Sequence, residues 1–159
     1  MYAFEIDAAD KPALYRDLLG AIDAITADER DAVANMANVA ALLWQYLPEL
    51  NWAGFYRVVE GELVLGPFQG KAACIRIALG QGVCGTAAAT RATQIVADVH
   101  DFPGHIACDA DSASELVVPI VRGGAVVGVI DLDSPRPNRF DAEDAAGVEA
   151  IAALLAGRV

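Results

Sequence analysis

Positive charge is the scarcest property of this sequence. Eleven Lys and Arg stand against 22 Asp and Glu, giving a formal net charge of −11 over 159 residues. No Lys/Arg cluster breaks that balance, so the chain repels phosphate backbones and nucleic acid is excluded as a partner. Most of the acidic surplus reads as a solvated face. Long apolar runs are also missing. The longest, such as AVVGVI after Gly124, fall far short of the ~20 residues that span a bilayer. The opening MYAFEIDAADKP carries acids where an export signal needs cations, which predicts a cytoplasmic protein without an export segment. Cysteine is rare as well. There are three, an odd number that fits poorly with a structural disulfide framework, and no CxxC occurs. In a reducing compartment a disulfide is more often catalytic than structural. What is abundant is apolar: 55% of the residues, enough to exclude disorder and to build the core of one domain.

The sequence predicts a single domain over residues 1–159. Residues 10–47 read as two helices. Asp10 caps the first, Pro12 sits in its opening turn, and Leu14, Leu18, Ala21, Ile22 and Ile25 recur at helical spacing. The second is expected to bury Val33, Met36, Ala37, Ala40, Leu43, Trp44 and Leu47, and Pro48 ends it. At Asn51 the period changes. NWAGFYRVV and GELVLGPF are expected as strands about a Glu60-Gly61 turn. CIRIAL follows as a strand alternating Ile75, Ile77 and Leu79 against Arg76, then GVCGTAAATR as a short helix and QIVADV as a brief strand. Residues 98–113 lack periodicity, and a segment that long in a compact domain is more often a binding loop than a connector. SELVVPIV is a strand whose Pro119 argues for an edge or a bulge. Gly123-Gly124 turns into AVVGVIDLDS, and a last helix over about 141–156 buries Val148, Ile151, Ala152 and Leu155. Helices at both ends of about 51–134, a region of hairpin-linked strands, predict an α+β fold with a mainly antiparallel sheet.

Chemistry concentrates in a few places. Asp131 and Asp133 are two apart in a strand and face one side, roughly 6.5–7 Å apart along the chain. Val127 and Val129 are expected on that same face. Two solvated carboxylates there would mean nothing. Buried ones would repel each other, raise at least one pKa and supply a general acid, and Glu115 on the neighbouring strand could join them. Trp52 and Tyr56, four apart, share a face, either as core aromatics or as the wall of an apolar ligand site. Cys74 opens a strand and Cys84 lies between Val83 and Gly85; each alone reads as a small buried hydrophobe. Cys108 differs. It lies in the polar loop HIACDADSASE with His105 before it and Asp109, Asp111 and Glu115 after it. Carboxylates raise a thiol pKa, so an inert residue or one whose chemistry needs protons more than a resting thiolate is indicated. His100, His105, Cys108 and Asp109 are metal-ligand types, but H-x4-H-x2-C matches no closed zinc pattern.

These motifs together are more specific than any one of them. GFYRV after NW, KAACIRI, GQGVCGTAA, QIVADV, PGHIACDADSASELVVPI and GVIDLDS resemble, in order and spacing from about Asn51 to Asp144, the GAF-domain free methionine-(R)-sulfoxide reductases. The resemblance implies a six-stranded antiparallel sheet flanked by helices, often in a homodimer. It implies that Cys108 attacks the sulfoxide, that Cys74 forms the disulfide with it, and that Cys84 is an alternate partner. It further implies that Trp52 and Tyr56 hold the methyl-sulfoxide end and that Glu115, Asp131 and Asp133 line the same pocket. Thioredoxin or a similar dithiol is then the reductant, and neither metal nor organic cofactor is needed. An acid-rich pocket suits that chemistry, because the departing oxygen needs protons and a free amino acid brings an ammonium group. The rival readings are a GAF-type sensor that binds a small ligand without turnover, and an interaction protein whose thiols report oxidation.

Overall fold

The structure is a computed structural model describing residues 4–6, 9–104 and 110–159. His105, Cys108 and Asp109 lie outside the described residues. Two helices come first, α1 (Lys11–Thr26) and α2 (Ala32–Tyr46). Asp10 and Asp31 cap them, each side chain accepting the backbone N–H three residues on. α1 buries Leu14, Leu18 and Ile22 as its spacing predicts. α2 is rotated from expectation: Met36, Val39, Ala40, Leu42 and Leu43 are buried, whereas Val33, Ala37 and Trp44 face outward. Both stripes have helical period, and packing against the sheet selected the one without the indole.

Among the described residues, six strands form one antiparallel sheet in the order β3-β2-β1-β6-β5-β4. They are β1 (Trp52–Val59), β2 (Glu62–Gly70), β3 (Arg76–Ala78), β4 (Gln94–Val96), β5 (Ser114–Arg122) and β6 (Ala125–Ser134). Glu60 and Gly61 turn β1 into β2 with φ of 51° and 84°, the positive pair that matches hairpin twist. β3 is shorter than the run CIRIAL. Only Ile77 is buried there, while Ile75 and Leu79 are exposed, because the strand pairs for three residues at the sheet edge. Pro119 sits where β5 has no β4 partner, since β4 covers only Glu115 to Val117, and a bulge follows at Ile120/Val121.

That bulge decides which residues face the site. Ile120 pairs with Gly128 and Val121 with Val126, so Val127 is skipped. The extra residue shifts the alternation by one. Val126 and Val129 pack on one face, and Val127, against expectation, packs on the other. A second irregularity lies between Gly54 and Tyr56 opposite β2, and it brings both Phe68 and Leu65 to the face that holds Val129.

The opposite face carries the larger core. α1, α2 and the last helix α4 (Ala142–Leu155) cover Ala53, Phe55, Leu116, Val118, Ile120, Ile130 and Leu132. α4 is joined to α1 by a buried polar knot. Asp144, 1% exposed, accepts from Arg139, Tyr15 and Lys11 while closing the capping box with Asp141. The face with Val129 is covered by α3 (Gly82–Thr90) and the segments around it. No helix among the described residues is long and apolar enough to cross a membrane.

Gly147 of α4 lies under Tyr15, where an added Cβ would collide with the ring. Ala there gains helix propensity of ~1 kcal/mol yet overpacks the α1–α4 contact. Gly147→Ala is expected to lower stability by about 1–3 kcal/mol in urea unfolding. A neutral or stabilising result would mean that Tyr15 is not locked by its bond to Asp144.

Candidate active site

Strand register assembles the site row by row. Glu115 on β5 pairs with Asp133 on β6, which pairs with Trp52 on β1. One row further, Val117 meets Asp131, and Asp131 meets Gly54. In the next, Val129 meets Tyr56. Period-two alternation therefore puts Trp52, Tyr56, Glu115, Asp131 and Asp133 on one face. All five line a single cavity of about 30 Å³ together with Cys84. A water needs ~10–15 Å³ by the same measure, so the enclosed space suits two or three non-hydrogen atoms.

The aromatic wall is a stack of three rings. Trp52 lies 5.9 Å from Tyr56 and 5.2 Å from Phe68, with interplanar angles of 22° and 12°. Gly54 makes room for it, because a Cβ there would stand 2.8 Å from the end of the Trp52 indole. The polar tips fix the neighbouring segment. Trp52 Nε1 donates to the Lys71 carbonyl at 3.1 Å, and the Tyr56 hydroxyl donates to the Cys74 carbonyl at 3.0 Å. Cys74 takes part in a disulfide, whereas Cys84 is a free, buried thiol.

Cys84 arrives from above, in the first turn of α3. Gly82 adopts φ of 60°, and at Gly85 a Cβ would strike the Ala78 carbonyl, so both glycines let the turn close tightly over the sheet. The Cys84 thiol then lies 3.9 Å from Glu115 Oε1. Helix N-termini stabilise thiolates. Here burial and the charges of Asp131 and Glu115 prevail and push the thiol well above its ordinary pKa. The carboxyls follow the same logic. Burial, then the charges of Asp131 and Asp133, drives Glu115 far above the usual carboxylate range. Burial raises Asp131 to about 7, and hydrogen bonds from Cys84 and Glu115 oppose that rise. Glu115 thus keeps its proton most firmly and Asp131 is the carboxyl poised near neutrality. One oxygen of Asp131, Oδ1, is buried without a hydrogen-bond partner.

The structure therefore brings Trp52, Tyr56, Cys84, Glu115, Asp131 and Asp133 together and holds the backbone of Cys74 against their edge. Cys108 lies outside the described residues, as do His105 and Asp109. His100 does not join the site; its ring is exposed and 2.7 Å from Asp98. Sequence reasoning missed Phe68, Ile77, Gln81 and Ser112, which stack on or line the cavity wall. It also missed that Cys84 reaches the acids. The readable clue was GQGVCG, a cysteine between glycines at a helix start. What the arrangement can do is hold protons in a buried pocket beside an apolar wall.

The GAF domain family profile matches residues 26–157. The free methionine-R-sulfoxide reductase of Escherichia coli (strain K12) is 49% identical over 146 residues, covering 92% of this chain and 88% of that protein. The protein of the same name from Saccharomyces cerevisiae (strain ATCC 204508 / S288c) is 44% identical, over 92% of this chain and 86% of its own. Among solved structures, the free methionine-R-sulfoxide reductase of Neisseria meningitidis, in complex with its substrate, superposes with a TM-score of 0.95. It is 47% identical, over 99% of this chain and 95% of that one.

The raised acid pKa values have a consequence for stability. Between the ordinary value of 3.8 and about 7, the folded chain holds a proton on Asp131 that the unfolded chain releases. Stability must therefore fall as pH rises through that window. Asp141, held down to about 2 chiefly by its hydrogen bond from Lys11, acts with the opposite sign and only at lower pH. Asp131→Asn is expected to flatten the decline in thermal midpoint across the 3.8-to-7 window. An unchanged slope would show that Asp131 is ionised throughout.

Proposed function

This chain belongs to the GAF-domain free methionine-R-sulfoxide reductases, and we propose that it reduces free methionine-(R)-sulfoxide to methionine at the cavity between β1, β5, β6 and α3. The observation that carries this reading is the meeting of proton-holding carboxyls with an aromatic wall in one small enclosed space. A sulfoxide needs both. Its methyl group and sulfur pack on Trp52 and Tyr56, and its oxygen leaves only if protons reach it.

The Cys108 sulfur attacks the sulfoxide sulfur, and a carboxyl of the Glu115, Asp131 and Asp133 set protonates the oxygen. The sulfur–oxygen bond breaks and the oxygen leaves as water, with Cys108 now bonded to the substrate sulfur. Water then attacks the Cys108 sulfur, the sulfur–sulfur bond breaks with its electron pair going to methionine, and Cys108 is left as a sulfenic acid. Asp131, with its pKa near neutrality, is the best matched donor. Glu115, pushed far above the usual carboxylate range, stays protonated beside it and hydrogen-bonds to Asp131. Asp133, half-buried at the cavity edge, suits the substrate ammonium. A peptide-bound methionine lacks that ammonium, which favours the free amino acid.

Cys74 then condenses with the sulfenic acid, forming a disulfide and releasing water. A dithiol such as thioredoxin reduces it by exchange, returning both thiols. Two observations support Cys74 over Cys84 as the partner. Cys74 is in a disulfide, and Cys84 is a free thiol enclosed between helix and sheet. Cys84 remains an alternate partner only if α3 moves. A cytoplasmic setting and a homodimer complete the reading, and no cofactor enters it.

Racemic free methionine sulfoxide with dithiothreitol, followed by chiral chromatography, tests the activity. The R epimer at sulfur is expected to disappear. Survival of both epimers would favour a ligand-binding sensor. Cys108→Ser should abolish the loss, and full activity in that variant would overturn the assignment of the nucleophile. Cys74→Ser should release about one methionine per chain and then stall with thioredoxin as reductant. Because the donor must be protonated, kcat/KM is expected to fall as pH rises through about 7.

A further inference from the structure

Cys84 has no step of its own in the cycle above, yet it is the thiol the fold presses against the acids. Its sulfur and one oxygen each of Glu115 and Asp131 lie within 4.8 Å of one another, and all three residues are buried. Cys84 Sγ and Glu115 Oε1 are 3.9 Å apart. A tetrahedral ion with bonds of about 2.3 Å to sulfur and about 2.1 Å to oxygen needs ligand separations near ~3.5 Å. Rotamer adjustments of roughly an ångström would close the set. The independent sign of a missing ligand is Asp131. It is 6% exposed, lines the cavity, and its Oδ1 has no hydrogen-bond partner. Buried polar oxygens are rarely left so.

We propose that Cys84, Glu115 and Asp131 form a binding site for a thiophilic divalent cation of the zinc class, and that its occupation closes the substrate pocket. One thiolate and two carboxylates supply three ligands, and the fourth position opens into the cavity of about 30 Å³, where a water fits. The sulfur selects against magnesium and calcium, which prefer all-oxygen shells. Three deprotonated ligands around a divalent ion carry one net negative charge, less than the same groups would without it. Binding must release the protons these groups hold, so affinity rises with pH. A cation seated there removes the acid and fills the space a sulfoxide needs. That inhibitory consequence rests on the reductase reading; the site itself does not.

The test uses cadmium as a spectroscopic probe on the double variant Cys74→Ser/Cys108→Ser, in which Cys84 is the sole thiol. One equivalent of Cd²⁺ per chain is expected to raise the ultraviolet thiolate-to-cadmium charge-transfer band. Zn²⁺ should displace it, and magnesium should not. Adding Asp131→Asn to that background should weaken Cd²⁺ binding at least tenfold, with near-ultraviolet circular dichroism verifying the fold. Absence of the band, or its persistence at full affinity without the Asp131 carboxylate, overturns the site. In the wild type, Zn²⁺ should inhibit sulfoxide reduction competitively and EDTA should reverse it. Equal inhibition of Cys84→Ser would place the ion on the other thiols and overturn the proposal. A charge-transfer band in the double variant, with a wild type that reduces no sulfoxide, would leave the metal site standing and sink the reductase reading instead.

Discussion

Glu115 and Asp131 are buried side by side on neighbouring strands, and that burial governs what this face of the sheet can be. At 6% exposure each, neither can spread its charge into water. Two anions so placed in a poor dielectric are unfavourable, so protons stay bound where exposed carboxyls would have lost them. Burial acts on Cys84 as well and, with the charges of these carboxyls, overrides the helix terminus that would otherwise favour its thiolate. This pocket stores protons rather than charge. Chemistry that must strip oxygen from sulfur requires such a store, and a ligand that arrives with an ammonium group relieves the repulsion it meets. A metal ion relieves it in another way, by replacing the protons.

Backbone irregularities hold this unfavourable cluster in place. The bulge that skips Val127 sets the alternation of β6, so Asp131 and Asp133 follow Val129 onto the cavity face. The irregularity opposite Tyr56 swings Phe68 under Trp52, and Gly54 clears space for the indole. The Tyr56 hydroxyl ties this wall to the backbone of Cys74. Aromatic wall and Cys74 segment are therefore one mechanical unit. Behind the sheet, the helices supply the larger apolar core, and the Asp144 knot ties α4 to α1.

Much of the architecture could be read from local pattern. Asp10, Asp31 and Asp141 cap helices where they stand, Glu60-Gly61 makes the hairpin turn, and Pro119 marks the stretch of β5 that β4 does not pair. The misreadings share one cause. In α2 two stripes had helical period, and only docking on the sheet chose between them. In β3, alternation at Ile75, Ile77 and Leu79 counted for little because an edge strand pairs briefly. At Val127 a bulge broke a parity that sequence alone cannot see broken.

By itself, the sequence determined the residue types of the site, the spacing that puts Asp131 and Asp133 on one strand face, and the net charge of −11. Those depend on composition and on a period of two or 3.6, which any stretch of chain carries within itself. Only the tertiary structure decided that Cys84 meets Glu115, 31 residues away, and that Phe68 backs Trp52. It also decided that the carboxyls are buried enough to keep their protons. Burial and cross-strand register arise from contacts between distant segments, and a pKa follows them rather than the residue name.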